Sequence, residues 1–145
     1  MSTIRIKKLN DTAIMPTYGT EESAGADLYA CLESDIEILP GCSAFIPTGL
    51  AMELPKGYAG LLFARSGMAC KRDLAPANKV GVIDSDYRGE FVVVLHNHGM
   101  RPQVVKHGER IAQLLVMPVL APSFEVVDDL SSTERDIGGF GSTGK

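Results

Sequence analysis

Residues 90–97 read EFVVVLHN, and the five apolar residues Phe91–Leu95 inside that stretch have no polar face. Such a short, β-branched run bounded by Gly89 and Gly99 reads as a β-strand buried on both sides. On either side, glycine and proline recur at short intervals, 15 and 8 of them in 145 residues, which limits helix length throughout. Strand character is found at Ile4–Leu9, Ala26–Leu32, Asp35–Leu39, Ser43–Ile46, Leu50–Leu54 and Tyr58–Ala64. It continues at Glu90–Asn97, Gln103–Lys106, Ile111–Val119 and Phe124–Val127. Only Arg65–Lys71 invites a helical turn or two. Many short strands with turn signals between them predict an all-β sandwich or barrel. The run IAQLLVMPVL (111–120) is apolar enough to be either a core strand or a strand at a subunit interface.

Composition narrows the function classes. The length predicts one domain with a core large enough to need no disulfide or metal staple. Hydrophobic residues make up 45% and charged residues 22%, as in an ordinary globular protein. The net charge is −4 and no Lys/Arg block exceeds two residues, so the basic stripe of a duplex nucleic-acid binder is missing. A polyanionic ligand would therefore need a few placed arginines, backbone N–H groups and a divalent cation against the protein's own field. Three cysteines without a C-x-x-C pair fit a reducing compartment. The start, MSTIRIKKLN, has no apolar signal core, and no stretch approaches membrane-span length. A soluble cytoplasmic protein is expected, with no membrane partner and no nucleic acid.

Five segments can carry chemistry. The end of the sequence, Gly139–Lys145, reads GFGSTGK and fits G-x-x-x-x-G-K, but a P-loop needs a following helix and a Ser/Thr after the Lys. What remains is a glycine-rich tail whose N–H groups and hydroxyls can converge on an anion, with Arg135 for a phosphate and Phe140 as a flat face. GVIDSDYRGE (81–90) reads as a tight hairpin. As a calcium loop starting at Asp84 it fails, because Arg88 and Leu95 stand where oxygen ligands are required. One of its aspartates can instead serve as a general base. Arg65-Ser66-Gly67, after an apolar strand, offers a guanidinium, a hydroxyl and backbone N–H groups to an anion. Asp27 opens a strand after a flexible turn. His96 and His98 point to one strand face, yet no third metal ligand lies near them in sequence.

Taken together and in order, AGADLYA (24–30), ARSGMA (64–69), NKVGVIDSDYRGE (78–90), GERIAQLLV (108–116) and RDIGGFGSTGK (135–145) resemble the five motifs of the homotrimeric dUTPase family. The resemblance spans nearly the whole chain; the third and fifth motifs are the most specific. It implies an all-β fold, a distorted jelly-roll or β-clip barrel (residues 1–134), with a flexible C-terminal tail (135–145) closing over the active site. It implies a homotrimer with three sites shared between subunits, and hydrolysis of dUTP to dUMP and pyrophosphate by water attack at the α-phosphorus.

Residue by residue, the resemblance makes Asp84 the general base and packs Tyr87 against the deoxyribose. It assigns the uracil edge to Asn78, Gly81, Val82 and Ile83, and the phosphate chain to Arg65, Ser66, Gly67 and Gln113. From the tail, Arg135, Gly141, Ser142 and Thr143 would clamp the terminal phosphate while Phe140 stacks on uracil. Mg2+ would be held mainly by the substrate phosphates, with Asp27 acting through a metal-bound water. One departure stands out: Asp136-Ile137 replaces the glycine that often follows the tail arginine, adding a negative charge there. Two rival readings share the scaffold, a dCTP deaminase-like enzyme and a non-catalytic regulatory binding protein. The intact hairpin opposes the first, and the presence of Asp84, Tyr87 and the tail opposes the second.

Overall fold

The computed structural model describes residues 3–139. In chain order the elements are β1 (Arg5–Lys8), β2 (Thr17–Tyr18), β3 (Ala26–Tyr29), β4 (Ile36–Ile38), β5 (Ser43–Glu53) and β6 (Tyr58–Phe63). There follow α1 (Ser66–Arg72), β7 (Leu74–Pro76), β8 (Gly81–Ile83), β9 (Glu90–Asn97), β10 (Gln103–Val105) and β11 (Arg110–Pro118). The strands form a four-stranded sheet in the order β1-β5-β9-β7, a five-stranded sheet in the order β2-β3-β11-β6-β8, and the pair β10-β4. Every strand pairing among the described residues is antiparallel. The fold is an all-β distorted jelly roll. The two larger sheets contribute to one apolar cluster: Ile46, Leu50, Phe91, Val93 and Leu95 from the first, with Leu28, Leu62, Ile111, Ala112 and Leu114 from the second.

The strand expected to be buried on both sides alternates instead. Phe91, Val93 and Leu95 are buried, while Val92 and Val94 are only half-buried on the opposite face. Val94 pairs across the ladder with Phe45, which is 73% exposed. An apolar outer face on a single chain is surface left open, and this explains why the sequence shows no polar alternation there.

The two strands expected at 43–46 and 50–54 are one strand, β5, interrupted by a bulge. The register with β9 shifts between Pro47 and Ala51, and Gly49 takes φ +69°. Pro47 cannot donate to the ladder, so the break is stitched by side chains. Thr48 Oγ1 donates to the Phe91 carbonyl at 2.6 Å, and the Glu90 carboxylate accepts the Gly49 N–H at 2.7 Å.

The strand expected at Phe124–Val127 is not formed. Residues 119–139 have no regular secondary structure, and Leu120, Phe124 and Val126 are almost fully exposed. β11 settles where IAQLLVMPVL sits. Its first half is core between β3 and β6, and Met117, Val119 and Leu120 at its far end are open.

The turn at Asn97–Gly99 begins from a buried anchor. Asn97 Nδ2 donates to the carbonyls of Ile38 (2.9 Å) and Arg101 (2.8 Å), and its Oδ1 accepts from the Gly99 N–H (2.9 Å). It ties β9 to β4 and to the loop that leads into β10. Replacing Asn97 with Ala removes the donor to the buried Ile38 carbonyl and to the part-buried Arg101 carbonyl, an expected loss of about 1–3 kcal/mol of stability in thermal or urea denaturation. A loss under about 1 kcal/mol would show that water takes over both carbonyls.

Candidate active site

β11 lies between β3 and β6, and its register sets one row of side chains across three strands. Gln113 is opposite Asp27 on β3 and opposite Phe63 on β6. Two residues past Phe63 the chain leaves the sheet through Arg65 and turns into α1. Arg65 has extended backbone (φ −89°, ψ 134°), and no side chain caps the helix start, so first-turn N–H groups remain for another acceptor. The Gln113 carboxamide donates to the Ala64 carbonyl at 2.8 Å, which holds this exit against the sheet. Asp27 is buried, 8% exposed, and accepts from Arg65 Nε at 2.6 Å and from Arg110 Nη1 at 3.3 Å. Asp27, Arg65, Ser66, Arg110 and Gln113 together line a cleft of about 500 Å³. Two guanidiniums around one carboxylate leave its rim net positive, in a protein whose net charge is −4.

A second cleft, of about 440 Å³, is lined by Asn78, Gly81, Val82, Ile83, Asp84 and Tyr87 together with Phe45, Val92 and Val94. Its floor is β8, the edge strand of the five-stranded sheet, paired only with β6. An edge strand keeps N–H and C=O groups on its outer side, and these can read the edge of a planar heterocycle. After β8 the chain turns at Asp84, whose carbonyl accepts the Tyr87 N–H at 3.2 Å. The Tyr87 hydroxyl donates to the Glu90 carbonyl at 3.1 Å, and the ring lies directly over Gly89. A Cβ at Gly89 would come within 2.5 Å of the ring carbon Cζ, so only glycine fits beneath it. The ring is thus fastened at its far end, on the lining of the cleft.

The chain as a whole, with these two clefts, is similar to known proteins. The dUTPase family profile matches residues 11–144, which is most of the chain. The chain belongs to the dUTPase family. The deoxyuridine 5'-triphosphate nucleotidohydrolase of Desulfitobacterium hafniense is 49% identical, with 99% of each chain covered. That of Syntrophotalea carbinolica is 44% identical, covering 98% of this chain and 97% of the relative. Among solved structures, a Staphylococcus bacteriophage 80alpha dUTPase mutant with dUpNHpp superposes with a TM-score of 0.91 at 28% identity over the full length of both chains. A dUTPase from phage phi11 of S. aureus, described with a structural Mg(II) ion, superposes at 0.82 with 25% identity, covering 90% of this chain and 100% of that one.

Within this dUTPase chain the expected site residues fall into two groups. Asp27, Arg65, Ser66 and Gln113 share the positive cleft, with Gly67 beside them in the first turn of α1. Asn78, Gly81, Val82, Ile83, Asp84 and Tyr87 share the other. The two clefts have no lining residue in common. Arg135 is placed on the exposed segment after β11, its Nε donating to the Gly138 carbonyl at 3.0 Å. Phe140, Gly141, Ser142 and Thr143 lie outside the described residues. His96 and His98 do meet, edge to face, with ring centroids 4.5 Å apart. Among the described residues, however, no group of three His, Cys, Asp or Glu side chains converges on a point.

Two residues of the positive cleft escape the sequence reading. Arg110 stands in the GERIAQLLV segment, but nothing in the sequence says that β11 runs beside β3 and brings it to Asp27. Gly25 is the other. A Cβ there would meet Gln113 Oε1 at 2.7 Å, so this glycine keeps room for the carboxamide. Gly25→Ala is expected to push Gln113 off the Ala64 carbonyl and lower kcat/KM about tenfold, roughly 1.4 kcal/mol of transition-state stabilisation. Unchanged kcat/KM in a folded variant would remove Gln113 from the phosphate side of the site.

Proposed function

We propose that this chain hydrolyses dUTP to dUMP and pyrophosphate at a site divided between the subunits of a homotrimer, with Mg2+ carried in on the triphosphate. The observation that carries this reading is the cleft in which an edge strand, an exposed aspartate and a fastened tyrosine meet. The outer backbone of Gly81–Ile83 and the Asn78 amide hydrogen-bond the uracil edge, and closeness of the strand excludes a 5-methyl group by sterics. The Tyr87 face packs on the deoxyribose and leaves no room for a 2′-hydroxyl. Asp84, exposed at the mouth of that cleft, orients the attacking water and takes its proton as the α-phosphorus is attacked.

The phosphates belong in the positive cleft, against Arg65, Ser66, the Gly67 N–H and Gln113. Asp27 is the only carboxylate among the described residues lining that cleft. One carboxylate cannot hold a divalent ion alone, but it fits a magnesium ion that keeps its waters and takes phosphate oxygens as ligands. When bound, the ion would spread the charge of the leaving pyrophosphate. Arg65 and Arg110 pair with Asp27 in the free chain, so charge compensation is already assembled before substrate arrives.

Three features support the trimer. The two halves of the site open on separate clefts of one chain; Phe45 lies open beside Val94; and the segment after β11 carries exposed Leu120, Phe124 and Val126 with nothing among the described residues to cover them. Residues 135–145, with Arg135, Phe140, Gly141, Ser142 and Thr143, then serve as a lid brought by another subunit. Three free cysteines accord with a reducing, cytoplasmic setting, and no helix among the described residues is long and apolar enough to cross a membrane.

Incubation with Mg2+ and dUTP, dTTP, dCTP or UTP separately is expected to give dUMP and pyrophosphate from dUTP alone. Appearance of dUTP from dCTP would overturn this in favour of deamination. Asp84→Asn is expected to bind nucleotide and lose turnover by about 10²–10⁴-fold, the range for a general base. Near-normal turnover would take the base role from Asp84. Truncation before Arg135 should cripple turnover and leave a trimer by sedimentation; a fully active monomer would refute the divided site.

A further inference from the structure

The Asp84 carboxylate has no hydrogen bond or ion pair to another side chain among the described residues. Its direction is therefore set by the backbone turn that carries it. That turn is held by one backbone hydrogen bond, Tyr87 N–H to the Asp84 carbonyl at 3.2 Å. Arg88 folds back over it. One terminal nitrogen, Nη1, donates to the carbonyls of Ser85 (2.7 Å) and Tyr87 (2.9 Å). The other, Nη2, lies 3.8 Å from Glu53 Oε1. Glu53 is in turn held by Arg5 Nη2 at 2.6 Å, and Arg5 and Glu53 are register partners on β1 and β5.

We propose that Arg88 is a positioning residue for the base: it ties the carbonyls of the 84–87 turn to Glu53 on the four-stranded sheet and so fixes the direction of Asp84. This rests on the assignment of Asp84 as the base. The chemistry suits arginine, whose planar fork can bond two carbonyls with one nitrogen while the other faces a carboxylate; a lysine ammonium is a single point. Arg88 and Glu53 are both well exposed, so their ion pair adds little to fold stability. Its effect lies in geometry. Tyr87 is fastened separately, by its hydroxyl on Glu90 and its ring over Gly89, so loosening Arg88 disturbs the base more than the sugar contact.

The test compares steady-state kinetics on dUTP of Arg88→Ala, Arg88→Lys, Glu53→Gln, Asp84→Asn and the Arg88→Ala/Asp84→Asn double variant, with melting curves for each. Arg88→Ala is expected to lower kcat by about 10–100-fold, the cost of misplacing a reacting group by about 1 Å, with KM within about threefold of the parent. Arg88→Lys should recover part of that loss. The double variant should turn over no more slowly than Asp84→Asn alone, because Arg88 acts only through Asp84. Parental kcat in Arg88→Ala, or an equal further loss in the Asp84→Asn background, overturns the inference. Near-normal turnover of Asp84→Asn by itself overturns the base assignment, and does so independently of Arg88. Should the Arg88 variants not fold, Glu53→Gln decides: a lowered kcat at constant KM supports the tether, and an unchanged kcat overturns it.

Discussion

The register of β11 between β3 and β6 is the constraint on which the rest depends. It places Gln113 opposite both Asp27 and Phe63, and it buries Ile111, Ala112 and Leu114 in the core. A slip of one residue would turn the core side chains outward and separate Gln113 from the Ala64 carbonyl in the same movement. The ladder with β3 already contains one irregularity, between Arg110 and Ala112, and Arg110 at that irregularity reaches the Asp27 carboxylate. Core packing and the anion-holding cleft are therefore two outcomes of one strand placement. Catalytic residues on loops are usually positioned by a rigid scaffold, and here β11 is that scaffold.

An acidic protein with an anionic substrate faces a long-range penalty, and the structure meets it locally. Asp27 is buried between two arginines and holds the largely buried Arg65 at 2.6 Å and the half-exposed Arg110 at 3.3 Å before any phosphate arrives. A carboxylate at that point looks counterproductive until the count is taken: two positive groups and one negative leave a positive rim with little freedom. On the proposed reading the same carboxylate can turn to a water of the magnesium ion when phosphates engage the arginines. Preorganised charge of this kind is more effective than mobile surface lysines, because the ordering cost is met in folding.

Much of this was legible in the sequence. Short runs of strand character and the glycine and proline punctuation pointed to the all-β class, and the boundaries of β1, β6, β9, β10 and β11 fall within a few residues of expectation. The misses have physical causes. β2, β7 and β8 are two or three residues long and exist only through their partners, so no local signal marks them. Pro47 and Gly49 look like a strand end, yet Thr48 and Glu90 supply the missing hydrogen bonds from the side chains and the strand continues. Phe91–Leu95 reads as doubly buried because its outer face is apolar, whereas a single chain leaves that face partly open. Phe124–Val127 has strand composition and no strand to pair with. For the site, the motifs located Asp27, Arg65, Gln113, Asp84 and Tyr87 one by one, but Arg110 and Gly25 are recognisable only once β11 and β3 lie side by side.

The same two features that the sequence misjudged, an apolar face on β9 and an unpaired apolar arm, bear on the proposal that several chains make the working unit. Exposed Phe124 and Val126 on an extended segment lose apolar hydration cost only when another surface covers them, and this chain has none to offer among the described residues. On the proposed reading a nucleotide touches the β8 edge and the Arg65–Gly67 turn at once, and among the described residues those lie on clefts with no shared lining residue. A second copy placed against the first satisfies both demands together, since covering the apolar surfaces and joining the clefts need the same kind of contact. Assembly energy then comes from the apolar surfaces, while the site keeps its polar groups free for substrate. On that basis oligomerisation is part of the catalytic apparatus, and a variant that weakens the apolar contacts should lose activity before it loses its fold.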